Sequence, residues 1–366
     1  MRILILSASV GAGHVRAAQA VELALRRAAP DAEIANHDVL TLMPPAFSKL
    51  YCDGYFDLVA RAPRVLGWLY DATDKPFHED HLRKTVERAA SAKLFDTLHD
   101  FDADIAVCTH FLPTALLHRE RRKKRCRARI VTVVTDFEVH GMWLDVLSDH
   151  YFVATAEARA HLEALGVAAS AITVSGIPTH PVFAEPKDRA DMRRKHGWHP
   201  DLPAILVSAG GFGAGNGQRM IEQLIRAEVP AQFVAVCGKN AALKASIDQI
   251  AAAHPHVHSV GFTTDMDEFM SAADLMIGKP GGLTTSESLG KGLAWVVVNP
   301  IPGQEERNAI YLLENGAGIW CNNLHTLAFK VRTVLETPQR LQSMRAAALR
   351  IARPDAGSVI ARALVQ

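Results

Sequence analysis

Short apolar runs rich in β-branched residues alternate with stretches of helical period along nearly the whole chain, the pattern of parallel strands wrapped by helices. In the first half, residues 3–7, 34–39, 105–109, 130–135 and 150–154 predict strands. A second series at 204–208, 232–237, 257–260, 274–277 and 295–299 repeats the arrangement. The expectation is an α/β chain of two Rossmann-like, doubly wound domains facing a central cleft. Between the series lie Gly-Ile-Pro-Thr-His-Pro-Val-Phe (176–183) and a charged segment with Pro186, and the prolines predict an extended connection with a hinge near 178–200. The expected domains are 1–183 and 184–350, followed by a closing helix at 351–366 that packs back on the first.

The length of 366 residues agrees with two domains, and the 49% apolar content is enough for two cores. A formal charge of +1 excludes a global attraction to nucleic acid, so any charge-driven contact must be local. The cysteines Cys52, Cys108, Cys126, Cys237 and Cys321 are too scattered for a C-x-x-C pair or a metal quartet, which suits a reducing cytoplasm. Neither a signal peptide nor an apolar run near the roughly 18–20 residues of a membrane span is expected.

Candidate chemistry concentrates in glycine-rich loops after strands. Residues 279–292, Lys-Pro-Gly-Gly-Leu-Thr-Thr-Ser-Glu-Ser-Leu-Gly-Lys-Gly, follow an apolar strand and open a helix. Gly281, Gly282, Leu283, Thr284 and Thr285 then lie at a helix N-terminus, where free N–H groups and the dipole attract a diphosphate. Glu287, expected in the first turn, can accept hydrogen bonds from ribose hydroxyls. Ordinary turn chemistry explains Pro-Gly-Gly equally well in isolation. Each predicted domain also carries a glycine loop on its first strand, Ser7-Ala-Ser-Val-Gly-Ala-Gly-His14 and Ser208-Ala-Gly-Gly-Phe-Gly-Ala-Gly215.

Five ordered blocks carry a family resemblance: residues 11–20, 134–143, 176–183, 279–287 and 300–309. Through them the chain resembles, over essentially its whole length, the diacylglycerol glycosyltransferases of glycosyltransferase family 28, the monogalactosyl- and processive glucosyl-diacylglycerol synthases. The resemblance implies a GT-B fold and inverting transfer of a hexose from a UDP-hexose donor to a diacylglycerol acceptor at a membrane surface. It places Gly211 and Phe212 near the diphosphate, pairs the Phe262-Thr263 backbone with uracil and puts Glu287 on the ribose. Gln304, Glu305 and Asn308 open another helix and suit sugar hydroxyls. Lys279 and helix N-termini would stabilise the leaving diphosphate.

Inversion in one displacement needs a base beside the acceptor hydroxyl. His14 is the first candidate, since Gly11 and Gly13 let the backbone approach the substrates; helix capping is its structural alternative. Plant relatives carry an aspartate five residues before this histidine, where this chain has Ser9, a poor base without an activating partner. Asp136 and His140, in Thr-Asp-Phe-x-x-His-x-x-Trp, are second candidates, with a capped turn as the alternative.

No cofactor or metal is expected: Asp102-Ala-Asp104 matches a D-x-D pair but precedes a strand at the wrong sheet end, and Asp265-Met-Asp-Glu268 reads as an acidic helix start. The basic run from Arg119 to Arg129 and the aromatic segment from Met43 to Pro76 predict contact with an anionic membrane, peripherally and on its cytoplasmic face. No nucleic-acid fold signature accompanies the basic run. Alternative readings are a UDP-sugar transferase with a polyprenyl-linked or soluble acceptor, a UDP-sugar 2-epimerase of the same layout, and a lipid-binding protein without turnover.

Overall fold

The computed structural model describes residues 1–77, 92–144, 148–208 and 216–366. The chain divides into two compact units, one of residues 1–181, 282–286 and 353–366, the other of 182–281 and 287–352. Each holds a six-stranded, all-parallel sheet.

In the first unit β1 (Arg2–Ser7), β2 (Glu33–Asp38), β3 (Ile105–Cys108), β4 (Arg129–Val133), β5 (His150–Val153) and β6 (Ile172–Val174) lie in the order β2-β1-β3-β4-β5-β6. Ile3 of β1 sits opposite Ile34 on one side and Ile105 on the other. These central strands read as unbroken apolar runs because helices cover both faces of a parallel sheet. On one face the helix Ala12–Ala28 buries Ala18, Val21 and Leu25 against Ile3, Ile5 and Val107, and the helix Ala356–Val365 adds Ile360, Ala361 and Leu364 to the same cluster. The two helices pack closely at Gly357, where an added Cβ would already touch that of Ala24 at 3.4 Å. Leu4, Leu6, Leu94, Leu112 and Leu116 fill the other face.

The second unit carries β7 (Ala204–Ser208), β8 (Gln232–Val236), β9 (Val257–Val260), β10 (Leu275–Gly278), β11 (Ala294–Val298) and β12 (Gly318–Cys321), ordered β12-β11-β10-β7-β8-β9. Its core joins Ile205, Val207, Phe233, Ile277 and Val296 to Ile221, Leu224 and Val331 from the covering helices. In each sheet the winding direction reverses at the first strand, between β1 and β3 and between β7 and β10, and parallel sheets bind ligands at the carboxyl ends beside such a reversal.

Three elements differ from the sequence reading. The edge strands β6 and β12 were not anticipated: both are short and only partly buried, and β12 opens on glycine, so neither stands out as an apolar run. The expected extended connection contains a helix, Arg189–Lys195, started where Asp188 accepts the Asp191 N–H at 2.9 Å. That helix is held by an ionic cluster: Arg189 and Arg193 reach the Asp274 carboxylate at 2.7 and 2.5 Å, and the same carboxylate accepts the Ala204 N–H at 2.8 Å. Burial beside these cations pushes the nearby Arg345 guanidinium down to about 10.

The aromatic segment forms two helices, Pro45–Arg61 and Pro63–Thr73. They pack loosely: Phe47, Tyr51 and Cys52 rest half-buried against the core, and Gly67 alone among their residues is buried. Leu50 and Trp68 are 73% and 67% exposed. Among the described residues no helix is long and apolar enough to cross a membrane.

Candidate functional site

The described residues among those expected to act on substrates follow the carboxyl ends of strands, loop by loop. After β1, Gly11 adopts φ 139°, a conformation that favours glycine, and turns the chain into the helix Ala12–Ala28. His14 is the third residue of that helix. Its Nδ1 lies 3.0 Å from the carbonyl oxygen of Thr109, just past β3, and 2.9 Å from the Thr135 hydroxyl, just past β4. The Thr109 hydroxyl donates in return to the His14 carbonyl at 2.9 Å. A carbonyl oxygen only accepts, so Nδ1 carries the proton and donates it to Thr109. In the neutral ring Nε2 is then the basic nitrogen, and among the described residues it makes no hydrogen bond.

His110 packs edge-on against His14 with ring centroids 4.6 Å apart, and Trp143 lies at 6.4 Å. Although part of the residue stays accessible, this enclosure desolvates the imidazole and pushes its pKa down to about 4. His14 is therefore a neutral, oriented ring at pH 7. His110 itself is buried, and its Nδ1 caps the helix Phe111–Arg122 by accepting the Leu112 N–H at 3.0 Å.

The second candidates fare differently. His140 is buried, its Nδ1 accepts the Met142 N–H at 3.1 Å and its Nε2 donates to the Tyr70 carbonyl at 2.8 Å. Both ring nitrogens are thus committed to backbone, and the residue, with Asp74 accepting the Gly141 N–H at 2.7 Å, fastens the Pro63–Thr73 helix to the loop after β4. Asp136 is buried beside Thr135. Ser9 is exposed, and its N–H donates to Asp38 at 3.1 Å.

In the second sheet three loops contribute. After β9, Phe262 is 70% exposed, with the Lys239 amine 5.5 Å from its ring centroid. The Thr263 hydroxyl accepts the Asp265 N–H at 3.0 Å, which shapes the turn. After β10, Gly281 caps the helix Gly282–Gly290, so Leu283 and Thr284 stand in its first turn as expected. Glu287 is its sixth residue, one turn deeper than the sequence reading placed it, and is buried. Lys279 is partly exposed and makes no ion pair among the described residues. After β11, Gly303 takes φ 82° and its N–H donates to Glu306 at 2.9 Å, starting the helix Gln304–Glu314. One Glu305 oxygen accepts the Ile301 N–H at 2.6 Å; the other would lie 3.7 Å from a Cβ on Gly281, so the β10 and β11 loops meet. Asn308 is fully buried on the same helix. Gly211 and Phe212 lie outside the described residues.

Two helix N-termini, a lysine and a buried carboxylate thus share one sheet edge, an arrangement able to hold a diphosphate and a polyol. At the other sheet's edge stands an oriented neutral base. Thr109, Thr135 and His110 were missed from sequence; their signal was their place at the carboxyl ends of strands next to the winding reversal. Asp104 accepts the Arg2 N–H at 2.7 Å at the amino end of β3, so the D-x-D spelling belongs to a strand entry.

Comparison with known proteins agrees with this layout. The Monogalactosyldiacylglycerol (MGDG) synthase family matches residues 14–179, and the Glycosyltransferase family 28 C-terminal domain matches residues 205–359. A processive diacylglycerol beta-glucosyltransferase of Staphylococcus haemolyticus is 30% identical over 349 residues, covering 94% of this chain and 87% of its own. One from Staphylococcus aureus is 29% identical over 323 residues, covering 87% and 80%. Among solved structures, Acinetobacter baumannii MurG superposes with a TM-score of 0.67 at 19% identity, covering 100% of this chain and 99% of its own. The UDP-GlcNAc 2-epimerase of Neisseria meningitidis bound to UDP-GlcNAc gives 0.64 at 13%, with full coverage of both chains. These structures share the fold.

Proposed function

Because the chain belongs to the diacylglycerol glycosyltransferases of glycosyltransferase family 28, we propose that it transfers a hexose from a UDP-sugar to the primary hydroxyl of diacylglycerol, with inversion at the anomeric carbon. The observation that carries the reading is the fixed tautomer of His14, whose Nε2 is free to take the proton of an attacking hydroxyl. Attack by that oxygen forms the new glycosidic bond as the bond to UDP breaks, and the electron pair leaves on the diphosphate. The Gly281–Thr284 helix start and Lys279 stabilise that charge, Glu287 holds the ribose, Phe262 and Thr263 meet the base, and Gln304, Glu305 and Asn308 orient the hexose. A pKa of about 4 suits a resting base that stays unprotonated; a phosphate anion brought within a few ångströms raises it toward working pH.

The acceptor is a lipid, and two features suit the enzyme to a membrane face on the cytoplasmic side. The helices Pro45–Arg61 and Pro63–Thr73 expose Leu50, Val65 and Trp68, and Lys123, Lys124, Arg125 and Arg127 are exposed just beyond the helix Phe111–Arg122. Arg121 of the same run is occupied by Asp149 at 2.5 Å. The full-length likeness to glucosyltransferases makes UDP-glucose the first donor to supply. Mass spectrometry of lipids formed from diacylglycerol with UDP-glucose and UDP-galactose, offered separately, tests the reading: a hexosyl-diacylglycerol from either supports it, and unchanged diacylglycerol with both overturns it.

A further inference from the structure

The first unit has a second polar opening, at the amino edge of its sheet and so at the opposite end of the strands from His14. It is a cavity of about 240 Å³ bounded by the turn before β3 and the loop 124–128 before β4. On this measure a single water needs roughly 10–15 Å³, so the space suits a small polar ligand. Its apolar floor includes Leu4, Ala106 and Leu117.

Glu120, on the helix Phe111–Arg122, faces this cavity with its side chain 1% exposed. One oxygen receives the Lys123 amine at 3.4 Å, while the other is buried and takes no hydrogen bond. Its nearest basic atoms are His99 Nε2 at 3.8 Å and Arg125 Nη1 at 4.0 Å, both beyond hydrogen-bonding range. A buried carboxylate oxygen without a donor is costly and rare in a folded protein. Lys124, Arg125 and Arg127 are exposed and line the same cavity. The polarity is therefore ordered, with a buried carboxylate oxygen that lacks a hydrogen bond inside, and three exposed cations at the mouth beside the exposed Asp102 and His99.

We propose that this cavity binds a phosphoethanolamine group, its primary ammonium donating to the buried oxygen of Glu120 and its phosphate held by Arg125, Arg127 and Lys124. The order of charges selects a zwitterion that enters cation first. A bare phosphate leaves Glu120 unsatisfied, and a trimethylated ammonium has no N–H to donate. A phosphate outside suits the two guanidinium forks better than a single carboxylate would. The group is available either as a phospholipid headgroup or as the free phosphomonoester. The site shares no residue with the catalytic edge, so it stands whether or not the donor and acceptor assignments hold.

Calorimetry of the full chain with O-phosphoethanolamine, phosphocholine and inorganic phosphate reads the site directly. The expected result is saturable binding of phosphoethanolamine, with phosphocholine and phosphate at least about tenfold weaker, equivalent to 1.4 kcal/mol. Glu120→Gln abolishes that preference, and the exposed double change Arg125→Ala, Arg127→Ala removes binding while leaving the circular dichroism spectrum unchanged. Co-sedimentation with phosphatidylcholine vesicles, with and without phosphatidylethanolamine, then identifies the source: gain on adding the ethanolamine lipid assigns the headgroup, and no gain assigns the free ester. Equal affinity for all three soluble probes, binding indifferent to Glu120→Gln, or no binding of phosphoethanolamine overturns the proposal.

Discussion

His14 combines three properties that a general base needs, and each has a separate origin in the chain. Its position comes from the helix start after Gly11, its tautomer from the Thr109 carbonyl, and its neutrality from enclosure by His110 and Trp143. His14→Ala should lower kcat by about 10²–10⁴-fold with the fold intact, the range for losing a positioned base. Thr135→Val removes one of the two Nδ1 contacts and leaves the carbonyl, so a smaller loss, about tenfold, is expected in kcat with KM little changed. The pH profile separates chemistry from structure. The ring's pKa is lowered, so the unprotonated form persists as pH falls until about 4, and the acid limb of kcat/KM for the free enzyme should lie near that value, well below the ~6.5 of an exposed histidine. A limb at the ordinary histidine value would mean that the ring is solvated in solution. His140→Asn should act on stability instead, since both ring nitrogens of that buried residue bond backbone groups.

Helices and strands divide into those that build the sheets and those that stand off them. The Arg189–Lys195 helix belongs to the first kind: it is anchored by Arg193, itself buried, on Asp274. Asp274→Ala leaves that guanidinium buried without its counter-charge and should cost about 3–5 kcal/mol in denaturant unfolding, whereas a surface pair is worth under about 1 kcal/mol. The helices of 45–73 are of the second kind. Leu50→Ser with Trp68→Ser should leave the melting temperature within a degree or two, because both side chains are exposed, yet reduce sedimentation with anionic vesicles severalfold. Unchanged sedimentation would remove these helices from the membrane account. Ten of the twelve strands among the described residues were legible in the sequence, the central ones because a doubly covered parallel strand must be apolar throughout, as Ile3–Leu6 and Ile205–Val207 are. The edge strands β6 and β12 were not, being short and only partly buried. The Arg189–Lys195 helix was hidden because its signal, an aspartate cap followed by alternating charges, lies between prolines that point to extended chain. In the site, the helix starts after β1, β10 and β11 could be read directly. Thr109 and Thr135 could not, because what brings them to His14 is the meeting of three strand ends, which pairing in the sheet decides and local sequence does not.

For the molecule as a whole, the account makes one claim: a chain with two parallel sheets uses the carboxyl edge of one to hold a uridine sugar nucleotide and that of the other to deprotonate a lipid alcohol. Each sheet reverses its winding at its first strand, so both carboxyl edges suit ligands by topology before any side chain is considered. The side chains then differ: helix N-termini, Lys279 and Glu287 on one edge, and a neutral imidazole on the other. The same fold in MurG and in a UDP-GlcNAc 2-epimerase shows that layout alone does not choose the reaction. The choice between transfer and its alternatives is read most directly by measuring UDP released from UDP-glucose or UDP-galactose by the purified protein, with and without diacylglycerol in mixed micelles. The account predicts release that rises with diacylglycerol, matches the glycolipid formed and collapses in His14→Ala. Release at the same rate without diacylglycerol, or conversion of the donor to an isomeric sugar nucleotide, would contradict it.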